Sequence, residues 1–447
     1  MSFPAPAATT TAESGAPAPV RLADRAGQAL RRFGSPLARF LGNPGQMLGL
    51  VLLLALVSRA IWLWLPDHSL IFDEAYYVNA ARVILGIHPP AGAAYAQAPL
   101  GLDPNTEHPP LGKLLIAGSM LLFGDNGIGW RLPSLIAGMV SLLALYGIVR
   151  AAGERAWLGV FAVVLFAFDN LSLVHGRIGT LDILFLAPSL VGAWLALRGH
   201  WTAAGVALAV GALAKLTALF SVAALVAYLV AIVVIDWWDH RRVRVRDLYP
   251  LVPFLAAFAF VFVGALWLLD LRFSPYHNPV DHIQHMLEFG AKLQTSGAPS
   301  GIASDPWSWL VNQVPIHYLT VNVDTTAGGK LISSRATIDF QGALNPVLLG
   351  ALPLATGFAL WLAWRRRSRL ALWALTWGGV NYLVYYPMVL VDHRITYLYY
   401  MLPVVPAMAV ATAQLLDRSR LPSVVRWVFL AAFAVAFLAY FPFRQVP

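Results

Sequence analysis

From residue 46 onward the chain is a succession of long apolar runs broken by short polar turns, and no water-soluble core can absorb so many of them. A hydrocarbon layer about 30 Å thick asks for about 20 apolar residues per helical crossing. Eleven segments meet that demand once short or bent helices are admitted: 46–66, 130–149, 156–174, 179–197, 201–214, 216–235, 249–270, 344–364, 370–390, 396–416 and 422–442. The composition agrees. Apolar residues make up 59% of the chain and charged residues 12%, against about 45–50% and about 25% in soluble domains. The expected fold class is an all-α integral membrane protein with about 11 transmembrane helices. A soluble multidomain enzyme is excluded, as is disorder beyond the N-terminus. With no cysteine there is no disulfide framework, thiolate metal site or Cys nucleophile.

Charge sets the expected topology. Residues 1–45 read as a disordered cytoplasmic tail, rich in Ala, Pro and Thr, followed by a basic flank. With eleven spans the loop arginines fall on one face: Arg150, Arg155, Arg198, the run from Arg241, the run from Arg365, and Arg418. That face is the cytoplasmic one, so the formal charge of +9 reports orientation rather than a nucleic-acid partner. Leu111–Phe123 is apolar but too short to span, and counting it as a span would flip the later arginine clusters outside. It reads as an interfacial helix in the first external loop, 67–129. The expected organisation is then a catalytic module over 46–270, a second external loop over 271–343 and C-terminal helices over 344–447. The setting expected is a bacterial plasma membrane with the site outside.

Several polar clusters fall on the external face. Asp73-Glu74 directly follows the first span, and a carboxylate held there can take a proton from an attacking hydroxyl; alternatively, Asp73 simply caps a helix. In Glu107-His108-Pro109-Pro110-Leu111-Gly112-Lys113 the two prolines start a helix and gather Glu107, His108 and Lys113 at its end. Arg131 opens the second span from outside, against the positive-inside trend; it suits a phosphate, or snorkels. Arg177 and Asp182 are close enough to pair across a helix start. Lys215 marks a turn between two apolar stretches and is a candidate for a lipid phosphate. Asp392-His393-Arg394 adds cationic reach beside an aromatic belt, and Trp307 and Trp309 offer stacking or anchoring. No phosphate-binding glycine loop or metalloprotease spacing is present. An external enzyme without a nucleotide site needs a donor delivered through the membrane, such as a lipid-phosphate sugar.

In order and spacing, Asp73-Glu74, His108-Pro109-Pro110-Leu111-Gly112-Lys113, Gly129-Trp130-Arg131 and Arg177…Asp182 resemble the protein O-mannosyltransferase family of C-type glycosyltransferases. Asp305-Pro306-Trp307-Ser308-Trp309 resembles a loop of bacterial members. The resemblance implies an eleven-span bundle with interfacial helices in its first external loop. It implies an inverting, single-displacement transfer of a hexose, mannose being the one expected, from a polyprenyl-phosphate carrier to an acceptor hydroxyl. Asp73 would be the general base, supported by Glu74. Arg131 and Lys215 would match positions near the donor phosphate. From the residues themselves, Lys113 is a further candidate for that phosphate, and Glu107, His108, Arg177, Asp182, His393 and Arg394 are candidates for contact with donor or acceptor. No metal or other cofactor is implied. Two departures stand out. Thr106 occupies the position where eukaryotic members carry an acid, and the second loop is too short for their luminal domain. The acceptor stays open between protein Ser/Thr, a lipid (as in the related aminoarabinose transferases) and a cell-wall glycan. A transporter or flippase of a lipid-linked anion is the competing class.

Overall fold

The computed structural model describes residues 40–444 except 41, 68, 242–244, 296, 298, 328–329 and 420. Of the expected tail and basic flank over 1–45, residues 1–39 and 41 lie outside the described residues. From Leu48 the chain forms one compact unit. Helix α1 (Pro44–Ala60) leads into the first loop, which holds α2 (Glu74–Ile84) and α3 (Leu111–Phe123). Then come α4 (Gly127–Ala151), α5 (Ala156–Ala167), α6 (Asn170–His175), α7 (Leu181–Leu197), α8 (Trp201–Ala214), α9 (Ala218–His240) and α10 (Leu251–Phe273). The second loop contributes α11 (Pro279–Lys292), α12 (Pro306–Trp309) and the strands β1 (Ile316–Ala327) and β2 (Lys330–Gly342). Helices α13 (Pro346–Arg366), α14 (Arg369–Leu383), α15 (Tyr385–Leu390), α16 (Val405–Arg418) and α17 (Ser423–Ala439) complete the bundle.

Each apolar segment of the sequence carries helix, and Leu111–Phe123 is a helix over its whole length. Among the described residues, four stretches are individually long and apolar enough to cross a membrane: Gly127–Ala151, Ala218–His240, Arg246–Phe273 and Pro346–Arg366. The other apolar helices have 10–17 residues. Two segments read as single spans are interrupted. The 156–174 run breaks where the Asp169 carboxylate accepts from the Ser172 amide at 3.1 Å and from the Asn345 amide at 2.8 Å. A side chain so engaged starts a new helix, α6, instead of continuing α5. The 370–390 run divides into α14 and α15.

The all-α expectation needs one correction. The second loop contains a long antiparallel hairpin, β1 with β2, registered from Ile316 opposite Gly342 to Ala327 opposite Lys330. Its sequence explains it: Val321, Val323, Thr325 and then Ile332, Thr337 and Ile338 are β-branched residues that favour a pleated surface.

Helices α4, α9 and α13 begin at one end of the bundle and carry their basic C-termini to the other. At 25 residues, α4 separates Arg131 in its first turns from Arg150 in its last by about 30 Å. At that far end lie the ion pairs Arg155–Asp417, Arg418–Glu154 and Arg367–Asp239. At the near end, α3 lies against α7 and the α8–α9 junction. A Cβ on Gly112 would stand 2.5 Å from Leu181 Cδ2 and 3.6 Å from the Ala214 carbonyl, so any larger residue would have to displace the Leu181 side chain. The contact brings the His108–Lys113 block beside Lys215.

Candidate active site

The near end gathers buried charge. Glu74, Lys113, Arg131, Arg177, Asp182 and Lys215 are all buried there. Apolar surroundings tolerate such groups only when they are paired or functional. The candidate site is organised by the entry into α2. Phe72 adopts a left-handed φ of 55°, which costs a bulky L-residue about 1–3 kcal/mol. After that turn Asp73 stands at the N-cap position, but its side chain makes no capping hydrogen bond. The capping alternative is therefore set aside, because the half-buried Asp73 carboxylate is turned toward other groups. It accepts a hydrogen bond from the Tyr77 hydroxyl and shares its surroundings with Lys215 and Asp182. Burial pushes the Asp73 carboxyl up to about 7. Lys215 and the Tyr77 hydrogen bond draw it down, and the Asp182 charge raises it further. A carboxylate poised near neutrality is suited to general-base work.

Lys215, at the α8–α9 junction, donates to Asp182 Oδ1 at 2.8 Å and lies 5.4 Å from the Tyr399 ring centroid. No other hydrogen bond of its ammonium is seen among the described residues, and an ammonium has three N–H groups. The second Asp182 oxygen is buried with no partner among the described residues. Asp182 therefore pairs with Lys215, not with Arg177 as the sequence spacing predicts. Arg177 turns instead to the C-terminal end of α1, donating to the carbonyls of Ser58, Ile61 and Trp62 at 3.3, 2.9 and 3.4 Å. Its guanidinium also lies over the rings of Phe340 and Phe443.

Two of the expected phosphate ligands occupy scaffold positions. Arg131 spends all five N–H groups inside the protein. Nε and one Nη2 proton go to the two Glu74 oxygens at 2.9 and 3.0 Å. The others reach the carbonyls of Leu63, Leu65 and Ser69 at 2.9, 2.9 and 3.1 Å. Glu74 is equally committed, accepting also from the amides of Gly179 at 2.7 Å and Ile71 at 2.8 Å. A guanidinium and carboxylate with no free valence hold the first loop onto α4; they have nothing left for a substrate. Lys113 is likewise saturated. It bonds Asp103 Oδ2 at 2.7 Å, the His108 carbonyl at 2.7 Å and the Asn105 carbonyl. It ties the 103–108 loop to α3.

The remaining expected residues divide. His108 faces the centre. Burial together with the charges of Lys215, Lys113 and Arg394 holds its imidazole well below the ordinary range, so it is neutral. Its ring lies 6.0 Å from that of Tyr77. Glu107 belongs to the loop, accepting from Asn105 Nδ2 at 2.6 Å and from the Tyr95 hydroxyl at 3.4 Å. Arg394 donates to the Gly290 carbonyl while its charge reaches His108. His393 is exposed and lines a separate cleft of about 600 Å³ with Asp305, Trp307 and Arg394. Trp309 is a buried anchor, donating to Ser304 Oγ at 3.0 Å.

Sequence reading passes over Tyr318, and it marks His175 only as a neighbour of Arg177 and Tyr399 only as part of an aromatic belt. The charges of Asp73 and Asp182 act on both tyrosines. Tyr318 Oη lies 2.9 Å from His175 Nε2 across 143 residues of chain, a contact no local pattern announces. Among the described residues no cluster of three or more His, Asp or Glu is gathered as a metal site.

Comparison with known proteins agrees with this architecture. The family model for dolichyl-phosphate-mannose-protein mannosyltransferases matches residues 107–267, which contain His108, Lys113, Arg131, Arg177, Asp182 and Lys215. A polyprenol-phosphate-mannose–protein mannosyltransferase of Corynebacterium glutamicum is 25% identical over 83% of this chain and 84% of its own length. A protein of the same name from Mycobacterium tuberculosis is 36% identical over 30% of this chain and 25% of its own. The solved Saccharomyces cerevisiae O-mannosyltransferase Pmt1–Pmt2 complex with sugar donor superposes with a TM-score of 0.65. It is 12% identical and the match covers 89% of this chain and 90% of that one, a likeness of fold. In sequence the chain is thus similar to protein mannosyltransferases, most clearly over residues 107–267, and in fold it is like the Pmt1–Pmt2 complex over most of its length.

Proposed function

We propose that this protein is an inverting membrane mannosyltransferase that moves mannose from a polyprenyl-phosphate carrier to a protein Ser or Thr hydroxyl. The observation that carries the reading is the pairing of Asp73, poised near neutrality, with a Lys215 ammonium that keeps unused donors. In the reaction the acceptor hydroxyl gives its proton to Asp73 as its oxygen attacks the anomeric carbon. The bond from that carbon to the carrier phosphate breaks, and the phosphate leaves with the electron pair. Lys215 stabilises the charge gathering on the departing phosphate. Asp182 orients Lys215, and neutral His108 with Arg394 lines the approach. With a cationic side chain in this place, the proposed reaction assigns no role to a metal.

The same proposal includes eleven spans, a cytoplasmic N-terminus and a bacterial plasma membrane. What supports this topology is the arginine-rich far end of the bundle, which fits the cytoplasmic face. The site then opens outside, where a lipid-linked donor can be presented.

The test is transfer of radiolabel from polyprenyl-phosphate mannose, with the protein in lipid, to a mixture of Ser/Thr peptides, lipids and glycan fragments. Label in peptide supports the reading, and label only in lipid or glycan moves the acceptor assignment. Binding of donor with no transfer to any class would overturn it in favour of donor movement.

A further inference from the structure

The hairpin of the second loop reaches the Asp73 turn through Tyr318. Along β1 and β2 the register runs Ile316 opposite Gly342, His317 opposite Gln341, then Leu319 opposite Phe340. Tyr318 is thus the extra residue of a β-bulge, a device that re-aims a side chain. Its ring stacks on Phe72 with centroids 4.3 Å apart and planes 20° from parallel. Tyr399 also contacts Phe72, edge-on with centroids 5.6 Å apart. The Tyr318 hydroxyl shares a 2.9 Å hydrogen bond with His175 Nε2, and His175 Nδ1 lies 3.2 Å from Thr180 Oγ1. Tyr318 and His175 are both buried. Space for the ring depends on Gly342, where a Cβ would overlap the Tyr318 hydroxyl and stand 2.5 Å from its Cζ.

Phe72 is the residue in the left-handed conformation, and it directly precedes Asp73. A strained turn persists only when its surroundings over-determine it. We infer that Tyr318, aimed by the bulge and tied to His175, is a positioning residue: by clamping the Phe72 ring it holds the turn that presents Asp73 to the acceptor hydroxyl. The inference rests on the general-base reading of Asp73. It gives the second loop a role in catalysis without contact to substrate, because the reacting geometry is set one residue away.

The experiment uses the full chain in lipid, with polyprenyl-phosphate mannose and a Ser/Thr peptide. Tyr318→Leu removes the stack and the hydroxyl, and is expected to lower kcat about 10–100-fold, the penalty of a base displaced by about 1 Å. The donor KM should stay within about twofold, since Lys215 is untouched. Loosening the turn also admits water to Asp73, so the midpoint of the acid limb should move below the wild-type value. Tyr318→Phe keeps the stack and should retain kcat within about threefold. Gly342→Ala should reproduce the Tyr318→Leu profile with Tyr318 itself intact. A folded Tyr318→Leu with wild-type kcat and midpoint, beside a silent Asp73→Asn, would overturn the clamp alone. If Tyr318→Leu does not fold, Gly342→Ala decides by the same two readouts. Activity surviving in Asp73→Asn would overturn the general-base reading and the clamp with it.

Discussion

Charged residues gather at both ends of the helix bundle, on different terms. At the far end, Arg155 is 65% exposed beside Asp417, and Arg367 and Asp239 are about one-third exposed each. Water and salt screen the Arg367–Asp239 pair, and either of its partners can leave at little cost; in the other pair the arginine is largely in solvent and Asp417 is half-buried. At the near end, Glu74 and Arg131 are sealed from solvent. Burying such a pair is expensive, and removing one member strands the other. Within the near end there is a second contrast. Glu74, Arg131 and Lys113 have every valence filled, whereas Lys215 and Asp182 keep unused donors and an unpaired oxygen among the described residues. Saturated buried charge holds a shape; unsaturated buried charge is prepared to meet something else.

The largest effect expected from breaking this contrast is on the chemistry. Asp73→Asn keeps size and polarity but removes the basic oxygen, and transfer should fall about 10²–10⁴-fold. Donor binding, measured by retention of labelled polyprenyl-phosphate mannose, should stay near wild type. The pH dependence follows from the same residue. Asp73 must be ionised to accept a proton, so kcat/KM should rise with pH through about 7 and reach a plateau above it. A rate flat between pH 5 and 8 would count against the assignment.

Next in size is the scaffold pair. Arg131→Ala leaves the Glu74 carboxylate buried beside two amides and without the guanidinium that pairs with both its oxygens. The expected cost is about 3–5 kcal/mol, seen as a large fall in thermal midpoint and in yield of folded protein. If Arg131→Ala instead folded normally and lost only donor affinity, Arg131 would be returned to the phosphate site that its sequence position suggests.

Glu74 and Asp73 are adjacent in sequence, and no pattern says which one meets substrate. Successive helix positions point about 100° apart, so one carboxylate turns inward to Arg131 and the other toward Lys215. The residues alone locate the doublet; the resemblance separates a base, Asp73, from a supporting Glu74, but nothing in the chain announces that Glu74 is spent on Arg131. The same limit applies to Arg177. Its spacing suited Asp182, but α1 presents three carbonyls closer to hand. The helices were far more legible, because each apolar run must bury or face lipid over its own length. Even the short Leu111–Phe123 helix follows from its flanking Pro110 and Gly124. The hairpin was also written in the chain, in the β-branched residues of 316–342, but it was passed over as external loop. What no local pattern carries is the meeting of Tyr318 with Phe72 and His175, because register and bulge decide it.

A third prediction sharpens the contrast through stability. The folded Asp73 carboxyl sits above its ordinary 3.8. Folded and unfolded chains are both protonated there below about pH 4. As pH rises from 4 to 7 the unfolded chain ionises first, so the wild type loses stability across that window, by at most about 4 kcal/mol. Asp73→Asn removes the titrating group and should flatten the dependence. The variant that loses activity should therefore gain thermal stability over the wild type at pH 8. Equal pH slopes for the two proteins would mean that Asp73 is not held in the desolvated place its surroundings describe.

The smallest effect belongs to the far end. Arg367 pairs with Asp239 and lies over the Trp364 ring at 5.0 Å, with both charges partly in solvent. Arg367→Ala should cost no more than about 1 kcal/mol, and transfer should be unchanged within error. The useful comparison is with Arg131→Ala: each removes one arginine from one carboxylate, and only burial and saturation differ. A ratio of effects well above one says that the near end is the part of the bundle whose geometry the protein cannot lose. Equal effects would mean that the far-end pairs are also structural, tying α9 to α13 as firmly as the first loop is tied to α4.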